Sequence, residues 1–476
     1  MNIEAGVAFG NLIQRIPLRK APNIIHGNAL RTDWNEILPS DNCSYVFGNP
    51  PFIGKKERSP DQKADHQIVW DGRPRTALLD YVTCWYKKTA EYVDNENTQC
   101  AFVSTNSITQ GEQVSVFWQN VSAAEDLYIQ FAHRTFAWRS DAVRPASVHV
   151  VIIGFGKKAA NQPKLFDYDT VDSEPQETTV KNISPYLVEG DRFVFAVNRT
   201  NPILESTPSV CYGSFALDDG GLTLSSDDRQ AIINEAPDLD AHIRLFLGSR
   251  ELIHGVKRYC LWLDGVTSGV LKQSRIVKDR IEKVKEWRSG RDRATTVELA
   301  KTPTIFAEIR QPNQRYLAFP TASLESRHYI PIAFLEKSVI ASNQLYIVKD
   351  AEDWHFGILT SAMHMAWVDS IAGRIKSDYR YSARLVYNNF PWPVSTDEKI
   401  KLGISKLSKN ILTIRDKYKK HTLAELYDPL AMPKDLYDAH RKLDKQVDKY
   451  FGYKGPSTSA ARASFLLDAY ESQTSL

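Results

Sequence analysis

The sequence predicts an α/β region, then a mixed α+β region, then a small helical end. Three observations carry this reading. Over residues 1–185, short apolar runs rich in Val, Ile and aromatic residues alternate with helical patterns, the order that builds a sheet covered by helices. Over 186–394, short strand-like runs and turns surround one long charged helical pattern. Over 395–476, apolar residues recur at helical spacing in a charged background.

In chain order, NIIHGN (23–28) and CSYVFGN (43–49) read as buried strands. LDYVTCWYKKTAEYV (79–93) reads as a helix with Tyr81, Val82, Trp85, Thr89 and Tyr92 inward and Lys87 and Lys88 outward. CAFVSTN (100–106), LYIQFAH (127–133) and SVHVVIIGF (147–155) are again strand-like. The polar, proline-bearing stretch 156–185 reads as a boundary. SRIVKDRIEKVKEWRSGRDR (274–293) is a basic helix; its charges fit either a solvated face of i,i+4 pairs or a phosphate-contacting face. YNNFPWP (387–393) looks like a seam to the last region, where two amphipathic helices are expected to close the molecule.

Composition narrows the class further. With 42% hydrophobic and 25% charged residues the chain is ordinary globular usage, which excludes disorder, collagen and simple coiled coil. Lys+Arg 60 against Asp+Glu 57 leaves +3, so any basic surface must be local. The five cysteines, at 43, 84, 100, 211 and 260, form no CxxC pair, so a zinc knuckle is excluded and no metal site is expected; reduced thiols fit best. No apolar run approaches the roughly 18 residues of a membrane span, and the first residues lack signal-peptide features. The expectation is a cytoplasmic chain with no membrane partner.

The segment with chemistry in it is Asn49-Pro50-Pro51-Phe52, directly after the strand SYVFG. A strand ending in a rigid di-proline turn holds the Asn side chain at the carboxyl edge of the sheet, where open α/β sheets bind ligands. The Asn amide oxygen and the following main-chain carbonyl are two acceptors fixed side by side. They can take both hydrogens of an exocyclic amino group and leave its nitrogen lone pair directed at an electrophilic methyl. Phe52 offers a face for a planar base, and the prolines keep the acceptors preorganised.

In this context Asn49-Pro50-Pro51-Phe52 resembles motif IV of the amino-methyltransferases, which methylate N6 of adenine, N4 of cytosine or a glutamine amide. Longer strings, SYVFGNPPFIGKK, VSTNSITQGEQV, FAHRTFAWRSDA and SAMHMAWVDSIAGRIKSDYRYSARLVYNNFPWP, resemble the MmeI-like (type IIL) restriction–modification enzymes. The similarity runs from about residue 20 to the end. It implies a partial Rossmann-like class I methyltransferase sheet using S-adenosyl-L-methionine over 1–185, a target recognition domain over 186–394 and a helical C-terminal domain over 395–476. The implied reaction is site-specific methylation of adenine N6 in double-stranded DNA.

Carried over by position, Asn49, Pro50, Pro51 and Phe52 match the catalytic motif. Asn28 matches a contact to the cofactor's adenine, or else makes a polar turn at the strand end. Among Phe131, Phe136 and Trp138, Phe136 is the first choice for stacking on an everted base, since a base must leave the duplex to be reached. Phe131 fits the core equally well, and His133 and Arg134 either touch phosphate or form a satisfied loop pair. Lys376 and Asp378 match the paired positions that read one base pair, with Lys donating to guanine and Asp accepting from the cytosine amino group. Arg374, Arg380 and Arg384 are spaced for backbone contacts, or for a surface salt-bridge cluster. Ser323, Ser326 and Arg327 are weaker recognition candidates.

One part of the family pattern has no counterpart here. Its motif I, an acidic residue and a D-P-x-x-G-x-G type of turn, stands far upstream of motif IV, whereas 48 residues precede Asn49 and no such turn occurs in the sequence. Residues matching the family's nuclease are missing as well. The expectation is a fragment or split subunit that binds S-adenosyl-L-methionine poorly alone, exposes a sheet edge, and has as partner a second chain carrying the missing motifs. The alternative is a catalytically inactive DNA sequence-recognition subunit.

Overall fold

A computed structural model of the chain describes residues 23–123, 126–138, 148–168, 170, 173–375, 377–394 and 397–475. The first sheet begins with β1 (Tyr45–Gly48), followed by α1 (Pro60–Trp70), α2 (Thr83–Tyr92), β2 (Gln99–Thr105) and α3 (Glu112–Trp118). Then come β3 (Tyr128–Trp138), β4 (Val148–Gly156), β5 (Lys164–Asp167) and β6 (Gln176–Thr179). The six strands lie in the order β1-β2-β4-β3-β5-β6. β1 is parallel to β2, with Gly48 opposite Phe102, and β4 is antiparallel between β2 and β3. Strand β3 therefore runs with β1 and β2, and the three share one carboxyl edge. Ser59 starts α1 with a capping box and Pro60 in the first turn, which stops the loop after Phe52 at a fixed point.

Four expectations are corrected here. NIIHGN forms no strand: Ile24 and Ile25 are 84% and 56% exposed, and no described strand offers that segment a ladder partner. β1 forms as read, but it is an edge strand with Tyr45 and Phe47 66% and 80% exposed, so it is not buried. Lys87 points inward; its Nζ bonds Glu91 one turn on at 2.7 Å, which lets a buried ammonium keep a partner. The 156–185 stretch extends the sheet through β5 and β6, because their short alternation suffices once β3 supplies a template.

The next region holds β7 (Val210–Tyr212), β8 (Thr223–Leu224), α4 (Ser226–Glu235), β9 (Ile243–Leu247), β10 (Tyr259–Leu261) and α5 (Arg275–Ser289). It continues with β11 (Tyr316–Pro320), β12 (Ala322–Ser323), β13 (Ala333–Leu335), β14 (Ile340–Ala341) and β15 (Leu345–Val348). It closes with α6 (Asp353–Leu359), α7 (Ala362–Ile371), β16 (Gly373–Ile375) and β17 (Asp378–Arg380). Small sheets run β14-β9-β10-β8, β13-β11-β15-β7 and β12-β17-β16. Of the two open readings of α5, the described contacts favour neither wholesale: Arg275 pairs with Asp279 and Lys285 with Glu282 on its surface, while Arg288 is buried and donates to the carbonyls of Ala216, Leu217, Leu299, Thr302 and Ile305.

The chain ends in α8 (Glu398–Lys417), α9 (Lys434–Phe451) and α10 (Ser459–Thr474). One continuous apolar core runs from Leu30 and Trp70 through Phe155 and Trp367 to Leu443 and Tyr470, so it binds the three regions together. The YNNFPWP seam is sunk into it: Asn388 donates to the carbonyls of Arg199 and Thr200, Asn389 to those of Val197, Arg384 and Leu385. Among the described residues no helix is long and apolar enough to cross a membrane.

Candidate active site and recognition face

The proline corner sits where β1 runs out at the carboxyl edge. Asn49 is exposed and makes no side-chain hydrogen bond among the described residues. Pro50 is buried, Pro51 exposed, and Phe52 half-buried with one side against the core. The far end of the corner is fastened by Asp80: its Oδ1 accepts from the N–H of Ile53 at 2.9 Å and of Val82 at 3.1 Å, while Tyr81 N donates to Ile53 O at 3.1 Å. Burial raises the Asp80 carboxyl above its ordinary range, against those N–H bonds. Sequence reading passed over Asp80. Its signal is an acidic residue directly after an apolar run and shortly before a helix, a position that suits a capping carboxylate.

Asn28 is brought close to this corner but is engaged. Its Nδ2 donates to Asp65 at 2.9 Å and its Oδ1 accepts from Leu30 N at 3.0 Å. Asp65, buried on α1, also accepts from Arg31 Nε at 2.6 Å and Tyr81 OH at 2.8 Å. Burial drives the Asp65 carboxyl up, but the bonds from Asn28, Arg31 and Tyr81 together bring it below its ordinary value. Of the two roles open to Asn28, these contacts are those of the polar turn. The turn is tied through Asp65 and Tyr81 to Ile53, so a network links residue 28 to the corner.

Phe136 on β3 and Asn49 after β1 both lie toward the carboxyl edge, three strand spacings apart sideways, roughly 14 Å, with Phe136 in the row of Thr105 and Asn49 one row past that of Phe102. Phe136 is half-buried and stacks on Tyr168 with ring centres 5.2 Å apart, a partner that sequence reading missed. Phe131 lies over Gly154, where even a Cβ would collide with its ring. Trp138 is 39% exposed. His133 stacks on Phe166 at 4.2 Å and bonds Tyr168 OH, and burial holds its imidazole below the ordinary value. Arg134 pairs with Asp167 at 2.8 Å, so the pair is satisfied, though on a strand and not in a loop.

An open groove of about 870 Å³ lies where the three regions meet, bordered among others by Arg134, Tyr168, Glu325, Asp369, Asp378 and Ser459. Its floor is organised by Asp369 at the end of α7. Arg374 Nη2 lies 2.8 Å from Asp369 Oδ1, Tyr379 OH donates to the same oxygen at 3.0 Å, and Arg134 and Ser459 approach the other oxygen at 3.8 and 3.3 Å. Burial opposes the Asp369 charge, but Arg374 and Arg134 hold its carboxyl below the ordinary range. Arg374, with a side chain only 6% exposed, also faces Glu325 at 3.4 Å and the carbonyl of Ser377, and its guanidinium stacks on Tyr379. These are the contacts of a strut inside the β16–β17 hairpin, not of an arginine open to solvent.

Asp378 begins β17 and is half-buried; Lys376 lies outside the described residues. Asp378 borders both this groove and a second of about 660 Å³ shared with Ser323, Arg327 and Arg250. Strand β12 pairs with β17, Ser323 opposite Tyr379, so recognition candidates some 50 residues apart in sequence meet on one small sheet. Ser326, Arg380 and Arg384 are exposed, Ser323 and Arg327 buried.

Comparison with known proteins agrees with this layout. The models of the MmeI DNA-methyltransferase domain, target recognition domain and C-terminal domain match residues 1–167, 191–394 and 396–476. DNA methyltransferase A of Bacillus subtilis (strain 168) is 38% identical over 480 residues, covering 100% of this chain and 53% of that protein. The solved structure of the type IIL restriction–modification enzyme MmeI in complex with DNA is 43% identical with a TM-score of 0.81, covering 100% of this chain and 63% of that one. The chain thus spans about half to two thirds of the length of these relatives. With all three models drawn from one family and matched in one order, the chain belongs to the MmeI family of DNA methyltransferases.

Proposed function

We propose that this chain is the base-accepting and sequence-reading part of an adenine-N6 DNA methyltransferase of a restriction–modification system, acting on an everted adenine in duplex DNA. The observation that carries this is Asn49: exposed, without a side-chain hydrogen-bond partner among the described residues, and braced from behind by buried Pro50 and by Asp80. Its amide oxygen and the Pro50 carbonyl would accept the two hydrogens of the adenine amino group, with Phe52 and Phe136 as stacking faces. Asp378, with Lys376, would read a base pair, and Arg380 would meet the backbone, while Arg374 holds the hairpin that presents them. The three functions divide at residues 185 and 394, and the working compartment is the cytoplasm.

The methyl donor of this family is S-adenosyl-L-methionine. The residues described do not by themselves make its cradle: Asn28 has both polar ends engaged, and the sequence has no glycine-rich turn of the family's kind. A second reading, a DNA-recognition subunit without its own transfer activity, draws support from the open β1 edge. A polypeptide that pairs with the sheet would find its free edge at β1, where Tyr45 and Phe47 are exposed.

A methyl-transfer assay on duplex DNA, with this chain alone and with a polypeptide carrying the upstream motifs, separates the two. Transfer only in the mixture supports the split enzyme. No transfer in either, with salt-sensitive, sequence-selective DNA retention, supports the recognition subunit. Asn49→Ala should lower transfer by about 10²–10³-fold and leave DNA affinity nearly unchanged, because it removes a preorganised acceptor and no backbone contact.

A further inference from the structure

Just beyond the proline corner lies a basic pocket that the reading above does not use. It has a volume of about 390 Å³ and is bordered by Lys55, Arg58, Lys63, His66, Arg73 and Arg75, with no carboxylate among its lining residues. Arg58 and His66 are 5% and 4% exposed. Arg58 Nη2 donates to the carbonyls of Ala77 and Leu79, but Arg58 Nε and His66 Nε2 are buried without a hydrogen-bond partner among the described residues. Arg73 and Arg75 come from a tight turn in which Asp71, Gly72 and Arg75 hold positive φ, of 38°, 65° and 66°. A buried guanidinium that donates only to carbonyls, with the Asp80 carboxylate acting on it from further off, beside an imidazole without a partner among the described residues and four further cations, is an arrangement that an anion would complete.

The position of the pocket indicates which anion. Lys55 stands three residues after Phe52, so at most about 10 Å of chain separates the pocket from the corner. A base delivered to that corner brings its own sugar–phosphate backbone with it, at that distance. Resting on the DNA-methyltransferase reading, we propose that this pocket holds one backbone phosphate of the DNA strand whose base is everted, with Arg58 and His66 as the inner donors and Lys55, Lys63, Arg73 and Arg75 as the charged rim.

The test uses the full chain and a fluorescent duplex of mixed sequence, with affinity measured across salt concentration. Lys55, Lys63 and Arg75 are exposed, so K55Q/K63Q/R75Q should fold, which an unchanged melting temperature verifies. The expected result is a Kd raised about 3–10-fold near 0.1 M salt and a log–log salt slope reduced by about 0.9, the value for one lost phosphate. Unchanged affinity and slope would overturn the proposal. So would a melting shift with millimolar inorganic phosphate that the variant loses while its DNA affinity stays the same, since the site would then take free phosphate. If the unaltered protein retains no duplex at all, the DNA reading and the pocket fail together; if it binds and only the variant's slope is unchanged, the pocket alone fails.

Discussion

The edge strand β1 and the Asp369 cluster sit at opposite extremes of one molecule. At β1, Tyr45 and Phe47 lie open to solvent and one side of the strand has no described ladder partner. At Asp369, a carboxylate, two arginines, a tyrosine and a serine from five elements complete one another, with Arg374 and Tyr379 almost wholly covered. The apolar edge carries what a sheet needs from a neighbour, and the cluster already has what a junction needs. Polar contacts are therefore concentrated where the regions join, while the proline corner follows the exposed edge strand.

Removing the centre of the cluster should have the largest effect. Asp369→Ala leaves Arg374 buried with only Glu325 at 3.4 Å as a charge partner, so a loss of about 3–5 kcal/mol is expected by chemical denaturation. Asp369→Asn, which keeps the hydrogen bond to Tyr379, should lose less. Equal stability of both variants and the unaltered protein would break the contrast with β1.

Acid should act on the buried interior. Burial lowers the imidazoles of His355, His364 and His440 to about 3 and, with Arg58 alongside, that of His66 to about 4. Each stays neutral in the folded chain, while the unfolded chain takes up a proton below about 6.5. Stability is thus full above pH 6.5 and falls as the pH drops toward 4 and then 3, by at most about 1.4 kcal/mol per pH unit for each histidine. Melting temperatures recorded from pH 7.5 to 4.5 check the sign; a rise on acidification would refute it.

The smallest effect belongs to the edge. Phe47→Ser, at a side chain 80% exposed, should change stability by less than about 0.5 kcal/mol and reduce self-association at high concentration, read by light scattering. A large destabilisation would mean that Phe47 is covered in solution, and would sharpen the case for a polypeptide seated on β1.

Much of this was legible beforehand. β2 and β4 follow their apolar runs within a residue or two, the amphipathic patterns after 395 became α8 and α9, and the di-proline corner falls at a strand end as its rigidity requires. What misled was partner-dependent. NIIHGN has strand composition but no ladder partner among the described residues; Lys87 has a charged head but finds Glu91; Arg374 reads as a DNA contact yet is taken by Asp369. Gly111 and Gly373 gave no signal at all. Their backbones meet so closely that a Cβ on Gly111, whose φ is +70°, would stand 2.9 Å from Gly373 Cα, which sets the β16–β17 hairpin against the loop after β2.

The sequence by itself determined the local chemistry: which segments are apolar and periodic, where the prolines stiffen the chain, and that an Asn follows the strand. Those properties depend on residues a few positions apart. Tertiary structure alone decided which polar groups are consumed and which remain free, so that Asn28 is held by Asp65 while Asn49 is left open. Hydrogen bonds and ion pairs are short-ranged, and which groups come within 3 Å is fixed by packing across the chain, not by order along it.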